Sequence, residues 1–115
     1  PDSGGDGQWR GGMGAIFEMI YEGAEPAKLN TAGDGAVNAP FGLFGGSDGL
    51  PHRYSIISDG KERVLRTKET EVIVLPGDLI RCLSSGGGGY GDPVRRSAVQ
   101  RDHDIKNGLT NTSKL

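Results

Sequence analysis

The sequence has 115 residues, 13 Lys plus Arg against 15 Asp plus Glu, a formal net charge of −2 and one cysteine. That length allows one domain at most; the charge balance offers no basic footprint for nucleic acid; no apolar run approaches a membrane span or a secretory signal. The single Cys82 excludes an internal disulfide framework and fits a cytoplasmic setting.

Glycine is the compositional anomaly, with 21 residues, where about 8 are usual for such a chain. Glycine in regular structure costs roughly 0.5–1 kcal/mol relative to alanine. Summed over the chain, that rivals the stability of a whole domain. The chain is therefore expected to lean on a larger body, as a single partial domain over residues 1–115, and its start at Pro1 reads as a cut, a processed end or an incomplete record.

Pro1 to Gly14 is glycine punctuated, with neither helical nor strand period, so extended, polyproline-like or looped backbone is expected. Trp9 is its expected anchor in an apolar pocket. Ala15 to Glu22 is the first strand, with Ala15, Phe17, Met19 and Tyr21 on one face. Gly23 to Gly35 reads as a loop or a weak strand around Leu29. Asn38 to Gly49 alternates aromatics and glycines, with Phe41 and Phe44 as expected core anchors.

Tyr54 to Ile57, Asp59-Gly60 and Lys61 to Arg66 read as a hairpin, because Asp-Gly favours the type I′ turn. Its register sets Ser58 opposite Lys61, Tyr54 opposite Leu65 and Ser55 opposite Val64. Glu71 to Leu75 is apolar on both faces and predicts a central strand covered on both sides. Pro76-Gly77-Asp78 is a turn, and Leu79 to Ser84 returns as a strand with Cys82 on the face of Ile80. Gly86 to Gly91 then joins sheet to helix. Asp92 is a cap, Pro93 a first helical residue, and Val94 to Asn107 one helix with Val94, Ala98, Val99 and Ile105 as its apolar stripe. Gly108 stops it, and Thr110 to Leu115 is expected to fray.

Chemistry-bearing motifs are few. Gly12-Met13-Gly14 precedes a strand and lacks the third glycine of a dinucleotide fingerprint, and no phosphate-binding P-loop is present. Gly86, Gly87, Gly88 and Gly89 could form an anion nest from successive N–H groups. The plainer reading, which is preferred, is that they let this backbone pass close to another segment. Arg10, held among glycines, could clamp a carboxylate or phosphate, although an intramolecular salt bridge explains it more simply. His52, His103 and Cys82 lack metal-ligand spacing, so His103 reads as solvated and Cys82 as a small core residue. Asp78 reads as a turn residue bonding its own backbone, and Asn111-Thr112-Ser113 as a chance match to a glycosylation acceptor. No catalytic and no metal residue is assigned.

Four ordered pieces carry a resemblance: Ser3 to Gly14, Pro40 to Gly46, Leu75 to Ile80, and Gly86 to Pro93, followed by a closing helix and glycine within Asp104 to Leu109. Together they resemble the carboxy-terminal end of the hydantoinase B/oxoprolinase family. The resemblance implies a mainly β fold, with small antiparallel sheets, glycine-rich polyproline-like segments and one short carboxy-terminal helix. It implies the B-type subunit of an ATP-dependent cyclic-amide hydrolase of the hydantoinase or 5-oxoprolinase type, alone inactive. The implied partners are an A-like ATP-binding subunit and the remainder of the B-type subunit, with no nucleic acid and no membrane. ATP and a divalent metal are implied for the whole complex, with neither bound by this segment. Asp34-Gly35 stands where hydantoinase-type members carry an Asp-Arg pair, which leaves the related ketone carboxylases open as an alternative. A non-enzymatic glycine-rich structural or ligand-binding module is the further alternative.

Overall fold

In the computed structural model, which describes residues 1–111, six strands form two antiparallel sheets. The strands are β1 (Ile16–Ile20), β2 (Ala27–Ala32), β3 (Arg53–Ser58), β4 (Lys61–Leu65), β5 (Lys68–Val74) and β6 (Leu79–Leu83). One sheet has the order β1-β6-β3-β4 and the other pairs β2 with β5. A 3-10 turn (Pro93–Arg95) and α1 (Ala98–Lys106) follow. Of the chain end expected to fray, Thr110 and Asn111 are instead held: Thr110 is buried and donates through Oγ1 to Asp2 Oδ1 at 2.7 Å, and Asn111 Nδ2 donates to Asp2 Oδ2 at 2.9 Å. The rest of that expectation, and Thr112 and Ser113 of the glycosylation match, lie outside the described residues.

The β3–β4 hairpin forms in the expected register, with Ser58 opposite Lys61 and Tyr54 opposite Leu65. Asp59 and Gly60 both take positive φ, 48° and 75°, the pair a type I′ turn demands. Pro76-Gly77-Asp78 also turns as expected: Asp78 N–H donates to Leu75 O, and Asp78 Oδ2 accepts from Leu75 N–H at 2.8 Å. That turn returns the chain into β6, which pairs β1 on one side and β3 on the other.

The two sheets meet over a small core of Ile56, Leu65, Val72 and Val74, with Tyr21, Leu29, Tyr54 and Ile80 against it. β5 corrects one expectation. Val72 and Val74 are buried, but Ile73 is 53% exposed and Leu75 47% exposed. The strand is half of a two-stranded sheet and is covered on one face only.

The aromatic anchors are a second correction. Trp9, Phe41 and Phe44 stand exposed. The segments that carry them lie backbone against backbone, leaving no apolar interior for a ring to enter. Phe44 instead packs on Tyr90 across the outer surface, centroids 5.2 Å apart.

The single expected helix is divided, a third correction. Asp92 caps only the 3-10 turn, accepting from Val94 N–H at 2.9 Å, and Arg96 is extended. Ser97 then caps α1, forming with Gln100 a reciprocal capping box. Gly108, with φ 65°, ends the helix as expected. The apolar stripe does not face inward: Val94 and Val99 are exposed, and the residue α1 buries is Asp104.

The molecule is long and thin, 54 × 26 × 17 Å with a radius of gyration of 17.2 Å. A compact chain of this length would have a radius near 13 Å. Its accessible surface, 7519 Å², exceeds by a quarter the roughly 6,000 Å² usual for its mass. Much of that surface is apolar side chain, β1 being exposed along its whole length.

Candidate functional site

Three glycine-rich extended segments, residues 3–14, 40–50 and 84–91, run against one another beyond the end of the four-stranded sheet. Their contact is main chain on main chain. Gly5 N–H donates to Gly87 O and Gly87 N–H to Gly12 O, at 2.9 and 2.8 Å. Gly89 N–H donates to Ser47 O and Leu43 N–H to Gly89 O, and Trp9 and Tyr90 exchange both of their bonds. The glycines are what permits this. A Cβ placed on Gly86 would lie 1.7 Å from Ser3 O, and one on Gly88 would lie 1.9 Å from Phe41 O. This is the close-passage geometry preferred from the sequence. In this arrangement the N–H groups of Gly86, Gly87 and Gly89 are each engaged by a carbonyl oxygen of another segment.

Beside this bundle lies a buried charge cluster. Asp104 on α1 is 1% exposed. Arg96 embraces its carboxylate bidentately, Nε to Oδ2 at 2.7 Å and Nη2 to Oδ1 at 2.8 Å, and Arg10 Nε reaches Oδ2 at 3.2 Å. Arg10 also pairs with Asp6 at 2.7 Å and donates to Gly4 O, and Arg96 Nη1 donates to Gln8 O at 3.0 Å. Helix and first segment are thus tied together through one carboxylate. The division of the expected helix has its cause here, because the extended Arg96 brings its guanidinium fork onto Asp104.

Burial by itself raises the Asp104 pKa, but the hydrogen bonds and charge of Arg96, and then of Arg10, outweigh it and hold the carboxyl below its ordinary value of 3.8. A carboxylate so held is permanently ionised at neutral pH and poorly suited to proton transfer. The polar cavity at this cluster, about 110 Å³, is rimmed by Arg101, Thr110 and Pro93.

The structure places Arg10 in the expected intramolecular salt bridge. It brings Arg10 and Gly86–Gly89 into one bundle, the link running through Gly11 and Gly12, which pack on Gly87. His103 is solvated at the helix surface, 4.0 Å from Asp104, and Cys82 is a half-buried free thiol on the sheet. His52 lies edge-on to Tyr54, ring centroids 4.3 Å apart, with its Nε2 buried and without a hydrogen-bond partner in the structure. Among the described residues no group of three His, Cys, Asp or Glu side chains could hold a metal ion. None of their helices is long and apolar enough to cross a membrane.

Sequence reasoning missed Arg96 and Asp104. In the run Arg101-Asp102-His103-Asp104 nothing in residue type marks the one that is buried. The only signal was that Asp104 opens the resemblance's closing helix.

Fold and cluster define a glycine-laced module, two small sheets continued by a main-chain bundle and fastened by an Arg–Asp–Arg staple. The hydantoinase B/oxoprolinase family model matches residues 1–93, and the chain belongs to that family. Three relatives are instructive. An uncharacterized protein of Methanocaldococcus jannaschii is 33% identical over 105 residues, covering 91% of this chain and 18% of the relative. 5-Oxoprolinase 1 of Arabidopsis thaliana is 32% identical over 93 residues, covering 81% of the chain and 7% of the relative. Caprolactamase subunit beta of Pseudomonas jessenii is 36% identical over 117 residues, covering 94% and 19%. The chain therefore spans less than a fifth of the length of these relatives. No solved structure matches it significantly.

Proposed function

We propose that this chain is the carboxy-terminal part of the B-type subunit of an ATP-dependent cyclic-amide hydrolase. The observation that carries the reading is the family match over residues 1–93. The names of two relatives, an oxoprolinase and a caprolactamase subunit, support cyclic amides as the substrate class. The word subunit in the second supports a partner, here an A-type subunit that binds ATP in a cytoplasmic complex. A lactam carbonyl is a poor electrophile because its nitrogen donates into it. Phosphoryl transfer from ATP to the carbonyl oxygen removes that resistance. Water then adds at carbon, the ring opens, and ADP and phosphate are released.

This chain's contribution is architectural. Its staple carboxylate is committed to Arg96 and Arg10, and the backbone donors of its glycine bundle are largely committed to one another. A divalent metal in the complex would take its ligands from other parts of the subunit, since the described residues do not supply a set. The test is to purify the complete B-type polypeptide with an A-type partner and follow ATP-dependent ring opening of hydantoin, 5-oxoproline and caprolactam. Ring opening coupled to ADP release is the expected result. Inertness toward all three, or bicarbonate-dependent carboxylation of a ketone, would overturn the reading.

A further inference from the structure

The two-layer sandwich is open along one side. β2 and β5 cover the core over β3, β4 and β6 but leave β1 bare. Phe17 and Met19 remain 57% and 44% exposed. With Ile80 and Cys82 they floor an apolar groove of about 390 Å³, walled opposite by Leu29 and Ala32 of β2.

β1 is also an outer strand of its sheet. Register determines which of its main-chain groups are free. Phe17 faces Cys82 and Met19 faces Ile80; Tyr21 N–H donates to Asp78 O, and Ser84 N–H donates to Ala15 O. The odd-numbered residues therefore bond to β6, and the N–H and C=O of Ile16, Glu18 and Ile20 point away from the sheet. Exposed sheet edges are normally blunted by lysine, proline or a bulge, and β1 has none of these. Its one charge, Glu18, is held by Arg81 at 2.6 Å.

We propose that the free edge of β1 receives an added β-strand from the part of the B-type polypeptide outside these 115 residues. Alternate apolar side chains of that strand fill the groove over Phe17 and Met19. This rests on the B-type reading above. The length of the relatives supports the occupant: more than four-fifths of each lies outside the matched region and has to be packed somewhere. A second copy fits less well. Two-fold antiparallel pairing centred on β1 sets Glu18 opposite Glu18, and like charges directly opposite destabilise a strand pair.

Cys82 is the chain's only cysteine and lies on the groove floor, so its thiol reports occupancy. In the complete subunit, iodoacetamide alkylation of Cys82 is followed by peptide mass spectrometry, native against denatured. Amide exchange across β1 is measured residue by residue on the same preparation. The expected result is alkylation slowed about 100-fold or more, with the amides of Ile16, Glu18 and Ile20 as protected as those of Phe17 and Met19. Alkylation near the denatured rate, or fast exchange at Glu18 beside slow exchange at Phe17 and Met19, overturns the proposal. So does protection that vanishes on dilution as the measured mass halves, which would assign the edge to a second copy. ATP-dependent cyclic-amide hydrolysis is assayed in parallel. An active subunit with an open edge sinks the strand proposal alone, and a protected edge without hydrolysis sinks the functional reading instead.

Discussion

Gly11 and Gly12 are neighbours in sequence and opposites in environment. A Cβ on Gly11 would lie 2.0 Å from Gly87 O, 2.5 Å from Gly87 C and 2.8 Å from Gly88 O, whereas one on Gly12 would meet nothing within 4 Å. Carbon–oxygen contacts settle at roughly 3.3–3.6 Å, so Gly11→Ala must drive the first and third segments apart by about 1.3 Å. That strains the Gly87 N–H to Gly12 O and Gly5 N–H to Gly87 O bonds, now 2.8 and 2.9 Å. Overpacking of this kind costs about 1–3 kcal/mol, and each of the two weakened bonds adds about 0.5–1.5 kcal/mol, for a total of about 2–6 kcal/mol. Gly12 does not use the left-handed region, so Gly12→Ala should be neutral or stabilising by about 0.4–1 kcal/mol, through a less disordered unfolded chain. The assay is native-state hydrogen exchange at Gly87 and Gly89 in the assembled subunit, which reads the local opening free energy. Gly11→Ala should accelerate exchange roughly 30-fold or more, at 1.4 kcal/mol per decade, and Gly12→Ala should not accelerate it. If the two variants exchange alike, the glycines are not there to admit a neighbouring backbone.

Other consequences follow from the staple and the hairpin. Asp104→Asn removes the counter-charge of two largely buried guanidinium groups, of which only Arg10 keeps another in Asp6, and should destabilise by about 3 kcal/mol, read as a lowered denaturant midpoint, while Asp102→Asn on the exposed face of α1 should change little. Because the folded pKa of Asp104 lies below its unfolded value near 3.8, its stabilisation is complete above that value and erodes as pH falls through the lower folded one. Acid unfolding curves should therefore show a drop below about pH 4 that is smaller in Asp104→Asn; equal drops would contradict the linkage. Gly60→Ala places a Cβ at φ 75° and should cost about 1–2 kcal/mol, seen as faster amide exchange across β3 and β4 and unchanged exchange at Gly87.

How much could be read from the residues depended on how local the cause was. The β3–β4 hairpin was legible down to its register, because Asp59-Gly60 selects one turn and the turn selects the pairing. The Pro76–Asp78 turn and the alternation in β1 were legible for the same reason. β5 was not: an apolar run cannot say whether both of its faces are covered within the chain, and here Ile73 is bare. Trp9, Phe41 and Phe44 misled because ring size suggests a core, while their flanking glycines form a bundle that has no side-chain interior. The division of the helix at Arg96 has a long-range cause, the pull of Asp104 eight residues on. Of the candidate site, Arg10 was visible because an arginine among glycines is conspicuous, and its partner Asp104 was hidden among other charges of the same helix.

So much bare backbone and uncovered apolar surface is expected to be stable only against surrounding protein. Sedimentation equilibrium, thermal melting and amide NMR dispersion on the purified 115-residue chain test it most directly. Self-association, or a broad, non-cooperative melt with collapsed amide dispersion, is the expected result. A monomer with dispersed amides and a sharp cooperative transition would contradict it.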